Sequence, residues 1–166
     1  MRRKAPAGHD QTELSYNERA MSKGRVLAID LGARRIGLAV SDELRFTARP
    51  LPAIRRTNQF TAHLAALCRE LEVSAIVIGL PLRMDGSEGE AAQQARAAAE
   101  EIGQATGLPV YLQDERLTTR EAEEVLREAG FRGDALRQRL DSAAALIILR
   151  DFLSRDAPET CLLDRS

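Results

Sequence analysis

The chain has 166 residues with no tryptophan, two cysteines, two histidines and two lysines, and its aromatic set is four Phe and two Tyr. Each scarcity excludes something. No apolar run approaches the roughly 18 residues that span a bilayer, so an integral helical membrane protein is excluded. Cys68 and Cys161 lack CxxC spacing and a nearby His, so neither a disulfide framework nor a structural zinc is expected, and the thiols fit a reducing, cytoplasmic setting. A net charge of -1 removes any bulk attraction to nucleic acid or an acidic membrane. With so few aromatics, no platform for stacking single-stranded bases is evident.

What is present is 44% hydrophobic residues in a length suited to one domain with a real core. The charge is uneven. Residues 1–25 carry six basic and three acidic side chains, and residues 26–166 carry 18 and 22, giving +3 and then -4. Both lysines, Lys4 and Lys23, fall in the first stretch, and every later cation is Arg. Arg suits bidentate phosphate contacts, although a GC-rich genome produces the same bias.

Residues 1–24 show no sustained period and few large apolar side chains, so a disordered arm is expected there, with Met21 a second candidate start. From Arg25 the pattern is regular. VLAIDLG and RIGLAVSD flank Gly32-Ala33-Arg34 as an antiparallel hairpin, and FTARPLPAI continues as an irregular third strand whose Pro50 and Pro52 require an edge or bulge. Phe60, Leu64, Leu67, Cys68 and Leu71 share a helical face, and SAIVIGLPL reads as a buried parallel strand. A helix ending at Gly107 follows, then the strand LPVYLQDE. Next comes a helix that Thr118 or Thr119 can cap and Gly130 stops. A polar link, FRGDALRQR, then leads to a last helix opened by Asp141. Strand, strand, strand, helix, strand, helix, strand, helix, helix describes an α/β protein with a mixed sheet and helices on its faces.

Three acids adjoin apolar elements, where an unpaired charge is costly. Asp30 ends the first strand, Glu115 ends the last beside Asp114, and Asp141 starts the final helix. Ligands gather at the carboxyl ends of parallel strands, so Asp30, Gly79–Leu82 and Glu115 converge there, and Ala144 and Ala145 let the helix bring Asp141 close. Clustered carboxylates repel unless a cation neutralises them. An all-oxygen set selects a hard ion, Mg²⁺ or Mn²⁺, and two such ions suit phosphodiester cleavage. Singly, Asp30 also reads as a turn former, Glu115 as a partner of Arg116 and Asp141 as an N-cap.

The runs AIDLGARRIGLAVSDE, VIGLPLRMDGSEG, LPVYLQDERLTTREAE and LDSAAALIIL, in this order and spacing, resemble the YqgF family, described as Holliday junction resolvases and as pre-16S rRNA nucleases. The resemblance covers residues 25 to about 153. It implies a ribonuclease H-like five-stranded sheet, three strands antiparallel and then two parallel, with helices on both faces. It further implies a nuclease domain over 25–155, a flexible tail over 156–166, and catalytic, metal-binding acids matching Asp30, Glu115 and Asp141. Gly32, Arg35, Gly79, Ser87, Arg116, Arg137 and Arg139 are candidates for contact with substrate phosphate. The substrate expected is structured RNA, as pre-16S rRNA in a pre-ribosomal particle. Branched DNA is the alternative, and a non-catalytic rRNA-binding module a further one. No membrane partner is expected, and the assembly is a monomer or a homodimer. DLGARRIG also resembles the first phosphate loop of sugar kinases and actin-like ATPases, but 166 residues cannot supply their two lobes.

Overall fold

The alternation in Arg25–Leu31 sends Leu27 and Ile29 to one side of a sheet and Val26, Ala28 and Asp30 to the other. The computed structural model describes residues 24–115, 118–128 and 130–154, with the side chains of Thr118, Thr119, Val125 and Asp141 outside that description. Residues 1–23, expected as an arm, and the tail 156–166 also lie outside it.

The elements are β1 (Arg25–Leu31), β2 (Arg35–Ser41), β3 (Ala48–Arg55), α1 (Phe60–Glu70), β4 (Val73–Leu80), α2 (Glu90–Thr106), β5 (Val110–Asp114), α3 (Thr118–Glu128) and α4 (Gly133–Ser154). They form one sheet in the order β3-β2-β1-β4-β5. β1 pairs antiparallel with β2, β2 antiparallel with β3, and β1–β4 and β4–β5 are parallel. The expected architecture is therefore observed. β3 lies at the edge, as its prolines require, and its pairing with β2 shifts register between Ile36 and Leu38.

The two faces differ in side-chain size. Toward α1 and α2 the sheet presents Leu27, Ile29, Ile36, Leu38, Ile76 and Ile78, and α2 answers with alanines such as Ala95 and Ala99. Toward α4 it presents Ala28, Ala39 and Ala75 beside Val26, Val77 and Tyr111, packed with Ala145, Ile148 and Leu149. Large against small keeps both layers dense. Ala145 is wholly buried, so Ala145→Leu is expected to overpack this layer and cost about 1–3 kcal/mol, read as a lower denaturant midpoint at an unchanged slope.

Gly107 ends α2 in the left-handed conformation, φ 67°, its N–H donating to the Gly103 carbonyl at 2.8 Å. The last helix departs from expectation. It starts at Gly133, so DALRQR is its first two turns, not a link, and Asp141 sits well inside it. Leu136 is buried, and Leu136, Leu140, Ala144 and Ile148 follow at four-residue steps, so the apolar stripe extends back beyond Asp141. Asp134, not Asp141, is the first-turn acid.

Candidate active site

Side chains two residues apart along a strand share a face, so Asp30, Gly79 and Glu115 all project on the α4 side, in line with Ala28, Val77 and Tyr111. Register brings them together. Ile29 is level with Ile78 and Gly79 with Gln113, and past the end of β5 the Glu115 N–H still donates to the Leu80 carbonyl at 3.2 Å. Asp30 and Glu115 thus flank Gly79 from the strands on either side of β4.

Glu115 crosses the gap that Gly79 leaves. A Cβ built on Gly79 would collide with Glu115 Oε2 and stand 2.7 Å from both Glu115 Cδ and Ile148 Cδ1. Burial pushes the Glu115 carboxyl up to about 8, and the neighbouring charge of Asp30, a hydrogen bond with Asp30 and the charge of Asp114 push in the same direction. Glu115 Oε2 is enclosed and has no hydrogen-bond partner among the described residues. Two carboxyls in contact, one with an orphaned buried oxygen, form a set of hard oxygen donors that fits a divalent ion.

The third expected acid, Asp141, belongs to α4, seven residues and about 10 Å of helix before Ile148. Its side chain is outside the described residues, so the geometry covers two acids. Among the described residues no group of three His, Cys, Asp or Glu could hold a metal. Two hydrogen bonds hold α4 across this face: Gln113 Nε2 donates to the Ile148 carbonyl at 3.1 Å, and the Ser142 hydroxyl to the Leu51 carbonyl at 3.2 Å.

The phosphate candidates are scattered. Gly32 forms the β1–β2 turn, where a Cβ would meet the Arg35 carbonyl. Arg35 starts β2, half-buried. Ser87 lies in the exposed Asp85-Gly86-Ser87 turn, where its N–H and hydroxyl donate to Asp85 Oδ1 at 2.8 and 2.6 Å and Gly86 has φ 85°. Arg137 pairs with Asp134 at 3.7 Å, and the Arg139 guanidinium lies 4.1 Å over the Phe131 ring, both on the first two turns of α4. Arg116 lies outside the described residues.

Sequence reasoning missed two features. Gly79, expected as a contact for substrate phosphate, is a buried strand residue whose missing side chain makes room for Glu115. The doublets Arg34-Arg35 and Arg55-Arg56 are the other. Arg35 pairs with Arg55, and the Arg56 N–H donates to the Arg34 carbonyl at 3.0 Å, so the hairpin joins them in one corner. Antiparallel pairing of the two runs was the available signal.

This sheet order, with carboxylates at the ends of β1 and β5, is that of a ribonuclease H-like nuclease. The structure is similar to that of Thermus thermophilus RuvC in complex with a Holliday junction substrate, with a TM-score of 0.51 and 17% identity over 81% of this chain and 99% of that one, a likeness of fold. A family model described as RuvX: Holliday junction resolvase matches residues 24–155. A protein of Anaeromyxobacter sp. (strain Fw109-5) named "Putative pre-16S rRNA nuclease" is 55% identical over 131 residues, 78% of this chain and 96% of its own length. One of the same name from Roseiflexus sp. (strain RS-1) is 42% identical over 132 residues, 78% of this chain and 94% of its own length. The chain belongs to the RuvX family, the YqgF family that its motifs resemble.

Proposed function

We propose that the chain is a divalent-metal-dependent nuclease of the cytoplasm that hydrolyses phosphodiester bonds in structured RNA, in 5′-end processing of pre-16S rRNA. Asp30, Glu115 and Asp141 are the proposed catalytic residues and ligands, with Mg²⁺ or Mn²⁺ as the ion. The observation that carries this reading is the Asp30–Glu115 pair meeting over Gly79, with one buried carboxylate oxygen unsatisfied. The names of the relatives support the RNA substrate.

A bound divalent ion supplies Lewis acidity to the phosphoryl group and makes its bound water a stronger acid. The chain's own part is to present the ligands and exclude water. Ile148, buried and close to Gly79, bounds the site on the apolar side and lowers the local dielectric, which strengthens attraction between the carboxylates and a cation. Burial and the charge of Asp30 favour the protonated Glu115 carboxyl, and a cation held by Asp30 and Glu115 would favour the ionised form instead. Arg35, where β2 leaves the turn, is the proposed contact for substrate phosphate.

A Holliday junction resolvase is the second reading, favoured by the description of the family model. Resolution of a junction calls for a dimer spanning a branched duplex, whereas RNA recognition rests on single-stranded segments and 2′-hydroxyls. Incubation with precursor 16S rRNA and with a four-way DNA junction, each with Mg²⁺ or EDTA, separates them. Cleavage of the RNA with Mg²⁺ alone is expected. Resolution of the junction with intact RNA would transfer the assignment to the second reading, and binding of rRNA with no cleavage of either would make the chain a non-catalytic binding module.

A further inference from the structure

The end of the β1–β2–β3 meander nearest Asp30 holds four guanidinium groups. Arg34 is exposed in the β1–β2 turn, Arg35 starts β2, Arg55 is exposed at the end of β3, and Arg56 follows it. Between Asp30 and Asp42, and again between Glu43 and Glu70, the sequence contains no Asp or Glu. The corner is tied together by its backbone. Arg56 Nη1 donates to the Gly32 carbonyl at 3.1 Å while its N–H donates to the Arg34 carbonyl, so the turn and the end of β3 hold each other in place. Arg56 also lies 6.0 Å over the Phe60 ring.

The corner has a fixed relation to the acids. Arg35 and Arg55 are level with each other, two residues beyond Asp30 along the hairpin, and Arg55 is two strands away. With strands about 4.8 Å apart and a rise of about 3.3 Å per residue, the Arg55 Cα stands roughly 12 Å from that of Asp30. A chain with net charge -1 gains nothing from overall polarity, so this patch acts only on a ligand that reaches it locally. Arg matches phosphate bidentately, and Phe60, the aromatic at this corner, is buried beneath Arg56 with no face left for a base. Such a surface reads the backbone and not the sequence.

We propose that Arg34, Arg55 and Arg56, together with Arg35, form a docking corner for the sugar-phosphate backbone of an RNA strand, holding the strand beside the bond that the Asp30 side of the sheet faces. The proposal rests on the nuclease reading for the role of the acids, but it concerns binding and is tested by binding. Arg34→Gln/Arg55→Gln changes two exposed side chains and spares Arg56, which ties the turn. In an Asp30→Asn background with Mg²⁺, affinity for a labelled structured RNA and for a four-way DNA junction is measured against salt concentration. The RNA is expected to bind more tightly, and tighter binding of the junction overturns RNA as the occupant. In the RNA arm the double variant is expected to bind about 10- to 30-fold more weakly at 0.1 M salt, with a log–log salt slope shallower by roughly 1.4 to 1.8, the loss of two phosphate contacts. The control Arg69→Gln/Arg150→Gln, at the end of α1 and on α4, is expected to leave the slope unchanged. An unchanged slope in the corner variant, or an equal loss in the control, overturns the proposal. A wild type that binds with the arginine-dependent slope yet cuts nothing overturns the nuclease reading alone, and one that cuts while the corner variant binds normally overturns the corner alone.

Discussion

Glu115→Gln is expected to lower cleavage by at least about 10³-fold and, in the same protein, to raise the melting temperature of the metal-free form at pH 8–9. The first effect follows from losing a proposed metal ligand, since the charge stabilisation a metal provides amounts to several kcal/mol. The second follows from linkage. The Glu115 carboxyl stands at about 8 in the folded protein against an ordinary 4.5, chiefly through burial and then through Asp30. Between those values the folded chain holds a proton that the unfolded chain has released, so wild-type stability falls as pH rises across that window. Above about 8 the full cost of an ionised Glu115 beside Asp30 is present. Gln carries no charge and removes that cost, which amounts to a few kcal/mol and is bounded by roughly 5 at 1.36 kcal/mol per pK unit. Melting temperatures of wild type and variant should therefore lie together below about pH 4.5, diverge progressively as pH rises and be fully separated above about 8, with the variant higher. Added Mg²⁺ should raise the wild type and not the variant, because only a ligand held by the folded state stabilises it. A wild type that becomes more stable from pH 5 to 8, or a variant that cleaves at the wild-type rate, would contradict the geometry of the pair.

Gly79→Ala carries the second large effect, and it separates fold from site. The added methyl would collide with Glu115 Oε2 and press on Ile148 Cδ1, both ends of side chains and neither of them backbone. The fold can yield at a cost of about 1–3 kcal/mol, as other overpacked positions do. The carboxylate cannot yield without leaving Asp30, and a displacement near 1 Å in a catalytic constellation costs on the order of 100-fold in rate. The expected result is a folded, cooperatively melting protein with cleavage reduced about 100-fold or more. Full activity would mean that Glu115 works from a different position than the one it occupies over β4.

These two residues also mark how far the sequence was legible. The hairpin could be read from VLAIDLG and RIGLAVSD because both apolar runs are short, branched and separated by a turn, and β4 and β5 because uninterrupted apolar runs suit strands covered on both faces. Glu115 and Asp30 were legible as acids at the ends of buried strands. What Gly79 does was not, because its role depends on a side chain from the neighbouring strand reaching across it, a relation no local pattern encodes. The start of α4 was misplaced for a different reason. DALRQR is polar by composition, and its one buried leucine, Leu136, joins half-buried Leu140 in the stripe only once the helix is known to pass under α3. The arginine corner was missed because its doublets are 20 residues apart, Arg35 and Arg55, and meet only through the β2–β3 register.

The prolines of β3 limit how two copies of this chain can associate. Pro50 and Pro52 have no N–H to offer along the outer edge of the sheet, and the Leu51 carbonyl between them already accepts the Ser142 hydroxyl. A strand from another molecule would find this edge short of donors. Continuous sheets built across β3 are therefore disfavoured, which protects the folded chain from edge-to-edge aggregation and leaves a dimer's interface to its helices and loops or to the β5 side.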